Sequence, residues 1–199
     1  MTYDLLLGLI TFAFVSSITP GPNNLMLMAS GANFGFRRTL PHMVGISLGH
    51  AFMVALVGLG LGQIFTAFPM AQFIMQWLST LYLLYLAWKI ATAAPPSEGN
   101  ARGRPFTFLQ AAAFQWVNPK AWYMAIYAVT NYTPEGTGLW PIFIVAGVFA
   151  ATNQPSVAVW AGIGTQIKRL LTRPKLLRWF NGTMAVLLVL TLIPVWFST

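Results

Sequence analysis

The chain alternates long apolar runs with short polar ones, and six of the runs reach the roughly 20 residues a helix needs to span a hydrocarbon core. They are Leu5 to Ala29, Leu40 to Phe65, Met70 to Ala91, Phe106 to Thr130, Leu139 to Gln166 and Leu177 to Phe197. Each predicts a membrane helix. Two carry a polar, proline-bearing break at the middle: Thr19-Pro20-Gly21-Pro22-Asn23-Asn24 in the first and Asn118-Pro119-Lys120 in the fourth. Proline lacks an amide hydrogen and pushes the preceding residue out of the helical region, yet fits the first position of a new helix. Pro22 and Pro119 therefore read as starts of half-helices, with Asn118 placed to cap the second. Backbone that leaves the helix at membrane depth is tolerated only where it faces protein or a wet cavity. Two such breaks predict a cavity.

The polar connections supply the topology. The one after the first run carries Arg37 and Arg38, the one after the third is flanked by Lys89 and holds Arg102 and Arg104, and the one after the fifth carries Lys168, Arg169, Arg173, Lys175 and Arg178. The connections Thr66 to Pro69 and Asn131 to Gly138 carry no basic residue, and Lys120 lies inside a run. By the positive-inside bias the three basic connections are expected in the cytoplasm and both termini on the periplasmic side. Tyr3, Tyr132, Trp140 and Trp196 would then mark the outer interface, and Trp88 and Trp179 the inner one.

Both halves, residues 1–92 and 106–199, open with a broken run. Each continues with a run that starts on a proline, Pro41 or Pro141, and closes on alternating glycines, Gly58/Gly60/Gly62 or Gly162/Gly164. Three runs per half send the second half into the membrane from the opposite side. The expected fold is all-α and integral to the membrane. It has six transmembrane helices arranged as two inverted three-helix repeats, with helices 1 and 4 broken at mid-membrane, an arrangement secondary transporters use to build a site between repeats. Chance spacing of common glycines is the alternative. The Pro- and Gly-rich stretch 93–105 reads as a linker within one transmembrane domain.

Composition agrees: of 199 residues, 57% are hydrophobic and 7% charged, against about 25% charged in soluble domains. The net charge of +8 lies in short clusters between apolar runs, a pattern of topology and not of a nucleic-acid face. With no cysteine, disulfides, thiolate metal sites and thiol catalysis are excluded, and no metal or cofactor is expected. Met1-Thr2-Tyr3-Asp4 lacks the basic start of a signal peptide.

The candidate chemistry follows from the breaks. Free amides and partial positive charge at a helix start attract anions such as a carboxylate, which singles out Pro20, Gly21, Pro22, Asn23, Asn24, Asn118 and Pro119 as substrate-binding. Lys120, an ionisable group inside a span, costs at least about 2.5 kcal/mol there. It reads as a counter-charge for a carboxylate, as a group that changes protonation, or as a side chain stretching to an interface. Asn153 and Gln154, in Thr152-Asn153-Gln154-Pro155-Ser156, either line the same cavity or tie helices together. His50 is a proton-coupling candidate beside Lys120, or a packing histidine; His42 reads as interfacial. Gly45-x-x-x-Gly49 allows close approach within the bundle or between subunits.

Taken together, Thr19-Pro20-Gly21-Pro22-Asn23-Asn24, Gly35-Phe36-Arg37-Arg38, Gly45-Ile46-Ser47-Leu48-Gly49, Leu86-Ala87-Trp88-Lys89 and Phe114-Gln115-Trp116-Val117-Asn118-Pro119-Lys120 closely resemble the LysE/RhtB family of bacterial amino-acid exporters. The asparagine pair and Ala87-Trp88-Lys89-Ile90-Ala91-Thr92 are most similar to its cysteine/O-acetylserine branch. The resemblance implies secondary efflux of small amino acids or derivatives, of the cysteine/O-acetylserine or homoserine/threonine type, across the bacterial inner membrane. It also implies coupling to protons and a homodimer as one assembly. The residues add a constraint: Asp4, Glu98 and Glu135 all fall at membrane edges or in loops. A cationic substrate would lack a buried counter-charge, which favours a neutral, zwitterionic one. A passive channel or a regulatory membrane subunit is the alternative; a membrane enzyme is disfavoured because the spans hold no interior carboxylate, no cysteine and only isolated histidines.

Overall fold

The computed structural model describes residues 1–93, 104–134, 136–171 and 173–197. Most of the expected linker, with Arg102 and Glu98, and Glu135 lie outside the described residues. Among the described residues every regular element is helical. Helix α1 (Tyr3–Ile18) starts on the Thr2 hydroxyl, which accepts the Leu5 amide at 3.3 Å. After the break, α2 (Pro22–Phe34) departs at 53° to α1. Gly35, at φ 84° and ψ 165°, takes a conformation open to glycine that ends α2 and lets α3 (Phe36–Gly58) begin at once. Pro41 is therefore inside α3 and does not open it, which corrects the expected start of this span.

The same span ends early. Gly60, at φ 117°, turns the chain into a 3-10 turn at Leu61–Gln63 and a short α4 (Ile64–Ala67). Helix α5 (Pro69–Ala91) follows. Beyond the linker, α6 (Phe108–Phe114) opens on a capping box in which Thr107 and Gln110 satisfy each other's amides. A 3-10 turn at Gln115–Val117 leads to α7 (Pro119–Tyr132), α8 (Trp140–Leu170) runs unbroken through Pro155, and α9 (Pro174–Leu190) and α10 (Ile193–Phe197) close the chain.

Helices α3, α5, α8 and the α9–α10 stretch are long and apolar enough to cross a membrane, and α1 with α2, taken as one bent pair, is a fifth candidate by the same length and composition. The expected fourth span is divided among α6, the 3-10 turn and α7, so no single helix in it reaches crossing length.

Small residues set the packing. Helix α2 lies along the second half of α8, where a side chain on Gly31 would run into the Ala161 carbonyl and one on Gly164 into the Met28 carbonyl. Helix α6 lies along α3, with Gly45 against Phe108 and Ala111 and Gly49 against Ala112. The Gly45-x-x-x-Gly49 pair thus serves a contact inside the bundle, where close backbones gain dispersion energy that lipid cannot undercut. Each broken segment packs mainly on the long second helix of the other half: α1 and α2 on α8, α6 and α7 on α3.

Two apolar clusters flank the breaks. One joins Leu9, Met53, Ala125, Val145 and Phe149; the other joins Leu25, Leu86, Phe114, Met184 and Leu188. Tyr3, Trp88, Trp140 and Trp179 are exposed, as interfacial residues would be. Trp196 is half-buried, donates to the Thr80 hydroxyl at 3.0 Å and stands edge-on to Trp77, so it ties α10 to α5.

Candidate functional site

The two breaks meet side by side. Asn23, at the start of α2, and Gln115, just before α7, exchange amide hydrogen bonds in both directions, Asn23 Nδ2 to Gln115 Oε1 at 2.9 Å and Gln115 Nε2 to Asn23 Oδ1 at 3.2 Å. Gln115, fully buried, also donates to the Ala111 carbonyl at 2.9 Å. From this junction α7 runs back toward the start of α1, where the Tyr132 hydroxyl reaches the Gly8 carbonyl at 3.2 Å. Helix α2 runs the other way and ends with Asn33 paired to Asn181 of α9 at 2.9 Å. Two helix N-termini therefore face one another and diverge.

The two starts differ electrostatically. At α7 the Asn118 side chain accepts the Lys120 amide at 3.2 Å and its carbonyl accepts Ala121 and Trp122, so this end is capped from within. At α2 the N-cap is Gly21, no side chain caps the helix, and no acceptor among the described residues meets the backbone amides of Asn23 and Asn24. The free donors, and with them most of the attraction for an anion, sit on α2.

The C-terminus of α1 is closed with equal thoroughness. Asn24 Nδ2 donates to the Ser17 and Thr19 carbonyls at 2.8 and 2.7 Å, and Trp160 Nε1 to the Ile18 carbonyl at 2.9 Å. Lys120 Nζ donates to the Thr19 carbonyl and hydroxyl, each at 2.9 Å, and to the Pro20 carbonyl at 3.3 Å. The Asn24 amide nitrogen is thus engaged at the break, while the residue also lines the space between the two segments. Among the described residues Lys120 meets no carboxylate.

Between the breaks lies a cavity of about 20 Å³ whose wall includes Ser17, Asn23, His50, Asn118, Lys120 and Asn153, space for about one water. Its lining is rich in unspent polar groups. Asn153 is 5% exposed and its amide has no partner among the described residues; the Ser17 hydroxyl and His50 Nδ1 are buried and likewise unpartnered. His50 Nε2 lies 3.2 Å from the Ala121 carbonyl, and the ring stands edge-on to Phe149 at 4.9 Å between centroids. Buried polar atoms left unpaired cost free energy unless water or a ligand meets them.

The structure brings together Gly21, Asn23, Asn24, Asn118, Lys120, Asn153 and His50 around this cavity, while Pro20, Pro22 and Pro119 line a wider groove of about 420 Å³ on the far side of Lys120, shared with Leu83, Tyr123 and Val195. Gln154 points elsewhere: it is half-buried and on neither wall. Gln115 and Ser17 join the site without having been singled out from the sequence. Gln115 lies three residues before Asn118 and reads as an ordinary polar residue until the 3-10 turn aims it at Asn23. His42 is buried, 2% exposed, with both ring nitrogens unpartnered among the described residues, which corrects its interfacial reading. It lines a separate cavity of about 230 Å³ with Asn33, Lys89 and Arg104.

Known proteins match nearly the whole chain. The family model described as LysE type translocator matches residues 14–192. A cysteine/O-acetylserine efflux protein of Escherichia coli (strain K12) is 30% identical over 190 residues, covering 95% of this chain and 96% of the relative. The protein of that name from Shigella sonnei (strain Ss046) matches to the same degree, and that of Escherichia coli O139:H28 is 29% identical over the same lengths. No solved structure matches at a significant level.

Proposed function

The chain belongs to the LysE type translocator family, a multi-pass membrane transporter and not an enzyme, and from that premise we propose that it exports small neutral amino acids or their derivatives by alternating access around the two breaks. The cysteine/O-acetylserine efflux proteins it resembles supply the substrate class: a zwitterion with a short polar side chain. One observation carries the reading. The uncapped start of α2 and the unpartnered Asn153 amide face a single polar cavity held between the broken segments. Free helix-start amides take a carboxylate, and Asn153 with the Ser17 hydroxyl provides neutral donors and acceptors for the rest of a small polar molecule.

The cavity holds about one water, so a bound amino acid requires the halves to part. The exchanged packing, α1 and α2 on α8 and α6 and α7 on α3, supports two inverted repeats, residues 1–92 and 106–199, with α6, the 3-10 turn and α7 as the sixth crossing. Rocking one repeat against the other would open the cavity to alternate faces. His50, beside the Ala121 carbonyl and with one free ring nitrogen, is the group in the cavity suited to exchange a proton with it, so we assign coupling there. By the positive-inside bias we assign the basic connections to the cytoplasm and both termini to the periplasm.

Counterflow in proteoliposomes with labelled serine, cysteine, homoserine, threonine, lysine and arginine tests the reading. Exchange of the neutral members and not of lysine or arginine is expected. Exchange of the basic pair alone, or of none of the panel, would overturn it.

A further inference from the structure

Lys120 belongs to the first turn of α7, yet its ammonium is spent on the C-terminus of another helix. Its three acceptors are the Thr19 carbonyl and hydroxyl at 2.9 Å and the Pro20 carbonyl at 3.3 Å, one for each hydrogen of a primary ammonium. All three are neutral. The carbonyl end of α1 carries the partial negative charge that favours a cation there.

The side chain reaches this place because Gly21 lets it pass. A Cβ at Gly21 would stand 2.9 Å from Lys120 Cδ and 3.2 Å from Nζ. Gly21 is extended, at φ −179° and ψ 178°, a conformation open to any residue, so a side chain here would be opposed only by the Lys120 stem, which would have to shift. The lysine is also the partition between two spaces, since it lines both the 20 Å³ central cavity and the 420 Å³ groove. On the other side of Gly21 begin the free amides of α2. Acceptors for an ammonium and donors for a carboxylate thus lie on either side of two residues, Gly21 and Pro22.

We infer that the Lys120 ammonium is a tethered occupant of the subsite for the substrate's α-ammonium, so that an incoming zwitterion displaces it and opens the wall between cavity and groove. This rests on the exporter reading for the identity of the ligand. Displacement frees the lysine to pair with the substrate carboxylate, which the α2 amides already attract. It also selects against basic amino acids, whose second charge would enter next to the displaced lysine with no carboxylate to receive it.

Two measurements test the inference. In the wild-type protein, modification of Lys120 by an amine-reactive reagent is followed by mass spectrometry, with Lys89, Lys168 and Lys175 as internal references. Serine should raise the Lys120 signal relative to the references, and N-acetylserine, which has no ammonium, should not. In Lys120→Ala, ethylammonium at about a hundredfold its Kd should raise the thermal midpoint by roughly 5–10 °C. It should leave the wild type unmoved, and tetramethylammonium, which has no hydrogen to donate, should do nothing. An unchanged Lys120 signal with serine that exchanges in counterflow, or equal stabilisation by the two cations, would overturn the subsite. The wild-type measurement decides if the variant does not fold. Stabilisation by ethylammonium in a protein that exchanges no amino acid would leave the subsite standing and remove the exporter reading.

Discussion

Asn23→Ala, Gln115→Ala and the double variant together measure the bond that joins the two breaks. The wild type has two amide hydrogen bonds between these side chains, at 2.9 and 3.2 Å. Interhelical polar contacts in membrane proteins average about 0.6 kcal/mol and reach about 1.7, so two give a coupling of about 1.2 kcal/mol. Gln115 Nε2 divides its donation between Asn23 and the Ala111 carbonyl, and Asn23 is only half-buried; both lower the figure toward about 1 kcal/mol. Each single variant leaves the other amide without its partner, so the singles should together cost more than the double. Unfolding free energies in mixed micelles, read through a double-mutant cycle, give the coupling directly. A value below about 0.3 kcal/mol, the level at which independent sites add, would refute the claim that these amides hold the breaks together.

Further outcomes follow from the packing and the topology. Gly164→Val should destabilise the protein by at least about 1–3 kcal/mol, since its side chain meets the Met28 carbonyl, whereas Gly162→Ala, with nothing within 4 Å, should cost little; thermal midpoints of the purified variants compare them. Single cysteines at the exposed positions Thr137 and Leu170 should be labelled by an impermeant maleimide from opposite faces of oriented vesicles. Labelling of both from one face would contradict the proposed topology.

The breaks were legible in the sequence because proline and glycine act locally: Pro22 and Pro119 each stand first in a helix, and Asn118 caps as its position suggests. The helix partners were legible only in part. Gly45 and Gly49 announce a close contact, but its address, α6, depends on how the halves exchange partners. The destinations of long side chains were not legible. Lys120 reads from the sequence as a counter-charge, a group that changes protonation or a side chain stretching to an interface, and its contact with the end of α1, 101 residues away in the chain, is one that no local pattern encodes. Asn24 and Gln154 show the same limit. Both are amides in polar runs; one closes the end of α1 and the other lies off the cavity, a difference set by helix rotation within the bundle. Pro41 misled because a proline near the start of an apolar run usually marks the helix start, and here Gly35 does so instead.

The absence of natural cysteine allows a direct test of where the substrate sits. Maleimide labelling of Asn153→Cys and Gln154→Cys is compared in vesicles with and without O-acetylserine. Protection of position 153 and not of its neighbour is the expected result. Equal labelling of Asn153→Cys in the presence and absence of substrate, or protection confined to position 154, would contradict a binding site between the two breaks.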